Sequence, residues 1–179
     1  ITISGGEPLL QMDFLLEFVK LCKKNHIKTA IDTAGEPFSR EEPFFSKFND
    51  LIANTDLFLL DIKSINPRVH LKLTGKKNDN ILDLFHYLSD KGFPIWIRQV
   101  LVPTINDKEE DLKKTGEFIS SLKNVRRVEI LPYHTLGISK YQQLGIPYPL
   151  KSVAVPSDAE IKQAEQLLGV SKYQDYLTD

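Results

Sequence analysis

Short runs of β-branched and leucine residues alternate along the chain with stretches whose apolar positions recur every three to four residues. The apolar runs are Ile1 to Ser4, Ile27 to Asp32, Leu57 to Ile62, Ile95 to Val102 and Val128 to Tyr133, each of strand length. Between the first two, Leu15, Phe18, Val19 and Cys22 fall on one face of a helix. Ile81, Leu84, Phe85 and Leu88 repeat that spacing, and Gly92 is placed to end the helix. Asp107 with Glu110 and Ser157 with Glu160 have capping-box spacing. They predict helices carrying Leu112, Ile119 and Leu122, then Ile161, Ala164 and Leu168. Ser39 with Glu42 has the same spacing ahead of Phe44, Phe45 and Phe48, where Pro43 fits only in the first turn. The result is a repeated βα pattern, an α/β fold whose right-handed crossovers make the sheet parallel. Five strands do not close a barrel of eight; they suit an open doubly wound sheet or most of a partial barrel. Residues 1–179 read as one domain, with the proline-rich Gly145 to Pro156 stretch a surface excursion.

Composition narrows the function classes. At 179 residues and 41% hydrophobic content the chain can build a substantial core. With 23 basic against 24 acidic residues there is no basic stripe for nucleic acid and no acidic tail. Runs such as Leu57 to Leu60 are too short to cross a bilayer, and no secretory signal opens the chain. A single cysteine excludes a disulfide framework and fits a reducing compartment, so the predicted location is cytoplasmic. A strand at residue 1 has no earlier strand to pair with, and the chain does not open with Met. Both favour a parallel sheet whose opening piece is absent.

Ligands of parallel α/β folds collect at the C-terminal strand ends. Those ends here carry Gly5, Gly6 and Glu7, then Asp32 and Thr33, then Asp61, Ile62 and Lys63, with His134 after the fifth run. Arg98 lies within the fourth run, on the same side as Trp96 and Val100. Packing alone does not account for polar residues at the same end of every strand. Each member also has a plainer explanation. Gly5-Gly6 can be an ordinary tight turn, and Asp32-Thr33 a helix cap. Asp61 and Lys63 point the same way, so they can form a local ion pair or face a zwitterionic ligand together; Lys63 could also form a Schiff base. Arg98 must meet either a structural carboxylate or an anionic ligand. His134, taken alone, is more often a hydrogen-bonded surface histidine.

Protein-borne metal signals are weak. His26, His70, His86 and His134 lack zinc-like spacing, and Cys22 belongs to an apolar helix face. One thiol cannot hold an iron–sulfur cluster, which needs several.

Taken together, Ser4-Gly5-Gly6-Glu7-Pro8, Ile31-Asp32-Thr33 with Gly35, Leu60-Asp61-Ile62-Lys63, Trp96-Ile97-Arg98 and Leu131-Pro132-Tyr133-His134 resemble the radical S-adenosylmethionine family. Within it the sequence is most similar to the pyruvate formate-lyase activating enzymes, which activate glycyl radical enzymes. The stretch Leu131-Pro132-Tyr133-His134-Thr135-Leu136-Gly137, with Lys140-Tyr141, Leu144-Gly145 and Tyr148, is its most distinctive part. The resemblance covers nearly the whole chain, weakening after Ser157 and between Glu36 and Asp50.

The resemblance implies a TIM-like partial (β/α)6 barrel of parallel strands, these five being the second to sixth and the first βα unit being absent. It implies S-adenosylmethionine as cofactor, with Gly5, Gly6 and Glu7 at its amino group and Asp61, Ile62 and Lys63 around its ribose and carboxylate. His134 falls near the ribose, and Val100 at the adenine wall. Asp32, Thr33 and Asp61 match positions that hold a monovalent cation, and Arg98 matches an active-site arginine that orients cofactor or substrate peptide. The family's CxxxCxxC motif, which binds a [4Fe–4S] cluster, would lie upstream of Ile1; this chain has no cluster cysteines and is expected to be inactive alone. Expected partners are pyruvate formate-lyase or a related glycyl radical enzyme and an electron donor such as flavodoxin or ferredoxin. Two other functions remain at this point. One is a Schiff-base lyase or aldolase using Lys63 with Asp61 and His134; the other is a non-catalytic half-barrel binding module.

Overall fold

The computed structural model describes residues 1–174. Five parallel strands, β1 (Thr2–Ile3), β2 (Ala30–Thr33), β3 (Leu57–Asp61), β4 (Ile95–Leu101) and β5 (Val125–Pro132), form one sheet in the order β1-β2-β3-β4-β5. The helices are α1 (Met12–Lys24), α2 (Phe44–Asn54), α3 (Pro67–Thr74), α4 (Asp79–Asp90), α5 (Glu109–Ser121), α6 (Ile138–Gln143) and α7 (Asp158–Leu168). Because each strand lies beside its predecessor, right-handed crossovers carry every connecting helix to the same side. A doubly wound sheet would reverse order midway. This one does not, and it is a partial barrel with one face under helices and the other left open.

The two faces are written in the strand alternation. Residues Ile31, Phe58, Leu60, Ile95 and Ile97 face the helices and are completely buried against Leu15 and Val19 of α1, Phe48 and Leu51 of α2, Leu84, Phe85 and Leu88 of α4 and Ile119 of α5. Each such side chain contributes about 1.5–3 kcal/mol by leaving water. Their neighbours Asp32, Leu59, Asp61, Trp96, Arg98 and Val100 are only half-buried on the open face. Phe38, Phe44 and Phe45 pack with Phe48 and Tyr87 in an aromatic cluster that anchors the 36–50 stretch to the helix layer.

Several local expectations are met and others corrected. The Ser157–Glu160 capping box forms in both directions. The Asp107–Glu110 box does not: Lys108 is the N-cap of α5 and makes no side-chain cap bond. Before α2, Ser39 turns back to Glu41 N–H instead, and Glu42 accepts from Ser46 N–H at 3.2 Å. The helix α3 has a clear cause that the apolar periodicity hid. Asn66 caps its N-terminus, Pro67 sits at its first position and Gly75 closes it in the left-handed conformation. Strand β2 begins at Ala30 and not Ile27, because the Asp56 carboxylate takes Thr29 N–H and Lys28 Nζ, both at 2.8 Å. Strand β5 begins three residues before Val128, since a bulge opposite Ile95/Trp96 absorbs Arg126 and breaks the alternation.

Candidate functional site

The register sets Arg98 between Asp61 and Glu129 across the sheet, with Asp32 beside Leu59 one step lower. Arg98 Nε donates to Asp61 Oδ1 at 3.1 Å, and its Nη2 lies 3.0 Å from the same oxygen. That Nη2 also donates to Asp32 Oδ1. Lys63 Nζ completes the row on the other Asp61 oxygen at 2.7 Å. The row Asp32, Arg98, Asp61, Lys63 alternates in sign and sums to zero charge. Burial opposes the Arg98 charge, but the bond to Asp32 and the nearby Asp61 outweigh it and hold the guanidinium above its ordinary value. Two structural carboxylates therefore meet Arg98 in this structure, the first of its two sequence-based alternatives. Below the row, Arg127 pairs with Glu129 at 2.8 Å and stacks over Trp96 at 4.9 Å. Arg127 and Glu129 belong to the open face; the late start read for β5 hid Arg127, whereas Glu129 lay inside the run and was not singled out.

The glycine turn stands beside this row. Gly5 has φ +99° and Gly6 φ +58°, and a Cβ on either would meet nothing within 4 Å. Backbone conformation, not crowding, requires glycine there, and the space beside the turn is open. Glu7 accepts from Leu9 N–H at 3.1 Å, from Ala34 N–H at 3.0 Å and from the Thr33 hydroxyl. It thereby caps the 3-10 turn at Pro8–Gln11 and ties the end of β1 to the end of β2. Its Oε2 carries one of these bonds and retains room for a further donor.

The remaining candidates divide. Ile62 is 2% exposed with its side chain in the core, and its N–H is taken by Arg98 O at 2.9 Å, so a ligand could meet only its backbone carbonyl. Val100 is half-buried on the open face opposite Leu131. His134 is exposed just past β5. Thr33 turns its hydroxyl to Glu7 and Gly35 N–H, so of the three residues named for a cation only the aspartates present side chains to the open face. Among the described residues no group of three or more His, Cys, Asp or Glu could hold a metal ion. Cys22 is buried on α1. A recess of about 570 Å³ between α5 and α7 shares no residue with the charged row.

Periodicity gave no sign of the amide side chains that hold the loop after β3. Asn66, Asn78 and Asn106 bond to that loop or from it across the fold. Behind it His70 is buried. Burial pushes its imidazole below the ordinary value, the Ser64 backbone opposes that shift, and the Lys63 charge adds to it.

The sequence profile of the Radical SAM superfamily matches residues 1–116. The pyruvate formate-lyase-activating enzyme of Listeria monocytogenes is 51% identical over 173 residues, 97% of this chain and 70% of that protein. That of Streptococcus mutans is 49% identical over 176 residues, 98% of this chain and 67% of that protein. The crystal structure of a domain of pyruvate-formate lyase-activating enzyme from Bacteroides vulgatus superposes with a TM-score of 0.76 at 28% identity, covering 97% of this chain and 93% of that one. The match over both chains places the one-sided parallel sheet among partial barrels of this kind. No described helix is long and apolar enough to cross a membrane.

Proposed function

Because the chain belongs to the radical SAM superfamily and to the pyruvate formate-lyase-activating enzymes within it, we propose that it holds S-adenosylmethionine for the activation of pyruvate formate-lyase or a related glycyl radical enzyme. The observation that carries this is the self-neutral row Asp32–Arg98–Asp61–Lys63 beside an open glycine turn, at the C-terminal ends of parallel strands. A zwitterionic amino-acid end suits such a row, because ammonium and carboxylate can each find an opposite charge there.

Gly5 and Gly6 offer backbone groups, and Glu7 one free acceptor position, to the amino group of the cofactor. Lys63 and Asp61 face its carboxylate and ribose, with the Ile62 carbonyl between them. Val100 provides an apolar wall for the adenine, and His134 approaches from beyond β5. Arg98 keeps the two carboxylates apart and fixes the potential that cofactor and substrate peptide meet. Asp32, Asp61 and the backbone of Thr33 are the proposed surroundings of a monovalent cation. When bound beside a reduced cluster, S-adenosylmethionine supplies the one-electron chemistry of the family.

The residues present do not fit the cluster. A [4Fe–4S] group needs several thiolates, and Cys22, the sole cysteine of these 179 residues, is buried in the core. The chain is therefore proposed to bind cofactor without turnover, its cluster ligands and a flavodoxin or ferredoxin donor coming from elsewhere. The cytoplasm is its proposed location, and residues 1–179 its proposed single domain.

Calorimetric titration with S-adenosylmethionine tests the reading. Saturable heat that is lost in Asp61→Asn is expected; no heat from the unaltered chain at millimolar ligand rejects it. The Lys63 Schiff-base alternative is disfavoured by the 2.7 Å salt bridge to Asp61, which engages the amine. Borohydride trapping with carbonyl compounds should leave Lys63 unmodified.

A further inference from the structure

Three buried or half-buried asparagines hold the loop that follows β3. Asn106, 3% exposed in the turn after β4, donates through Nδ2 to the carbonyls of Lys63 and Val100, both at 2.9 Å. Its Oδ1 accepts Val102 N–H at 2.8 Å. Asn78, also buried, donates to the carbonyls of Ser64 and Ile65, both at 3.2 Å. Asn66 caps α3 through Oδ1 and donates to the two Asp111 oxygens at 3.1 and 3.2 Å. Asp111 is itself buried in the first turn of α5, where the helix N-terminus favours a carboxylate.

Carbonyls 63, 64 and 65 thus each receive an amide donor, and residue 66 is fixed by its own side chain. Solvent could satisfy the carbonyls of an ordinary surface loop. A buried amide network in its place rigidifies the loop only while every member stays paired. The two carbonyls joined by Asn106 are also not arbitrary. They belong to Lys63 at the end of β3 and Val100 on β4, residues placed at the polar and apolar walls of the proposed cofactor site.

We propose that Asn106, supported by Asn78, is a positioning residue for the cofactor. It fixes the β3 end carrying Asp61 and Lys63 relative to the β4 segment carrying Val100. One ligand with a charged end and an aromatic end then meets both walls in register. The inference rests on the S-adenosylmethionine reading above and assigns Asn106 no contact with the ligand.

The test uses Asn106→Asp, which keeps an acceptor for Val102 N–H but removes both donors and sets a carboxylate against two carbonyls. Asn78→Asp is the second variant, for use if the first does not fold. Ile119→Val, a buried core change on α5, is the stability control. S-adenosylmethionine is titrated calorimetrically into each at a temperature well below unfolding, and amide hydrogen exchange is followed without ligand. The expected result is an affinity loss of about 10-fold for Asn106→Asp, the effect of about one net hydrogen bond. Exchange should quicken at residues 62–66 and stay unchanged in α4, while Ile119→Val keeps the unaltered affinity despite its lower melting temperature. Equal affinity in Asn106→Asp, an equal loss in Ile119→Val, or unchanged exchange at 62–66 overturns the inference. No binding by the unaltered chain overturns the cofactor reading and this inference with it; binding that the asparagine variants share overturns this inference alone.

Discussion

Replacing Arg98 by methionine tests whether the charged row is a coupled unit. Methionine keeps much of the apolar stem and removes the one cation that joins Asp32 to Asp61. Each ion pair at about 4 Å has a gross attraction of ~4 kcal/mol at an effective dielectric of about 20. The side chains are 18% (Arg98), 24% (Asp32) and 17% (Asp61) exposed, so solvent screens part of that gain. Removing one partner of a fully buried pair costs about 3–5 kcal/mol, because the other charge is stranded. Partial exposure lowers the expected loss for Arg98→Met to about 2–4 kcal/mol at pH 7.

Urea unfolding reads this as a shift in midpoint at unchanged slope. Adding Asp32→Asn to Arg98→Met should restore about 1 kcal/mol by removing the like-charge contact. A deficit below about 0.5 kcal/mol, or a double variant no more stable than Arg98→Met, would refute the coupling.

Glu7→Gln replaces a carboxylate that accepts three bonds, and should cost about 1–2 kcal/mol in urea unfolding; a neutral effect would show that Glu7 does not tie β1 to β2. Gly116→Ala drives a Cβ into the Leu167 carbonyl between α5 and α7 and should destabilise by about 1–3 kcal/mol, whereas an unchanged melting temperature would mean that α7 shifts freely. The Tyr148 phenol is pushed up to about 12 by its 2.7 Å hydrogen bond with Tyr133. Because the folded value is raised, the stability from this bond is complete below the ordinary value of 10.0 and fades as pH climbs through about 12. Ultraviolet titration of Tyr133→Phe should show one tyrosine ionising closer to its ordinary value; an unchanged curve would break the assignment.

The strand ends were legible in the sequence because a period of two places Asp61, Lys63, Arg98 and Val100 without any long-range information. The core face of α4 was legible for the same reason, its apolar spacing matching one helix face and all four members being buried. The face of α1 was only partly so: Leu15, Val19 and Cys22 are buried, while Phe18 stacks outward on Phe14 and Leu16 goes inward. Helix α3 could have been found from Asn66-Pro67 and Gly75, since its start and stop signals are stronger than its periodicity. The partners of Arg98 needed the register, which pairs residues 66 and 37 positions apart. Apart from the Asn66 cap, the asparagine network had no sequence signal. An amide bonded to carbonyls leaves no spacing pattern, and Asn106 reaches Lys63 across 43 residues.

The one-sided winding and the neutral row belong to one physical arrangement. A sheet whose crossovers all lie on one side leaves its other face without helices, so polar groups there need partners from within the face itself. Alternating carboxylates and cations from adjacent strands meet that need without a net field. If the row holds the cofactor as proposed, it would open only by exchange: an incoming ammonium would take the place of a cation at a carboxylate, and an incoming carboxylate the place released on Lys63. A ligand carrying one charge alone would leave a half-buried partner stranded, which is costly in this environment. On the proposed cofactor reading, discrimination for a zwitterionic end would follow from pairing rules among four side chains, with Arg98, bonded to both aspartates, setting how far the exchange proceeds.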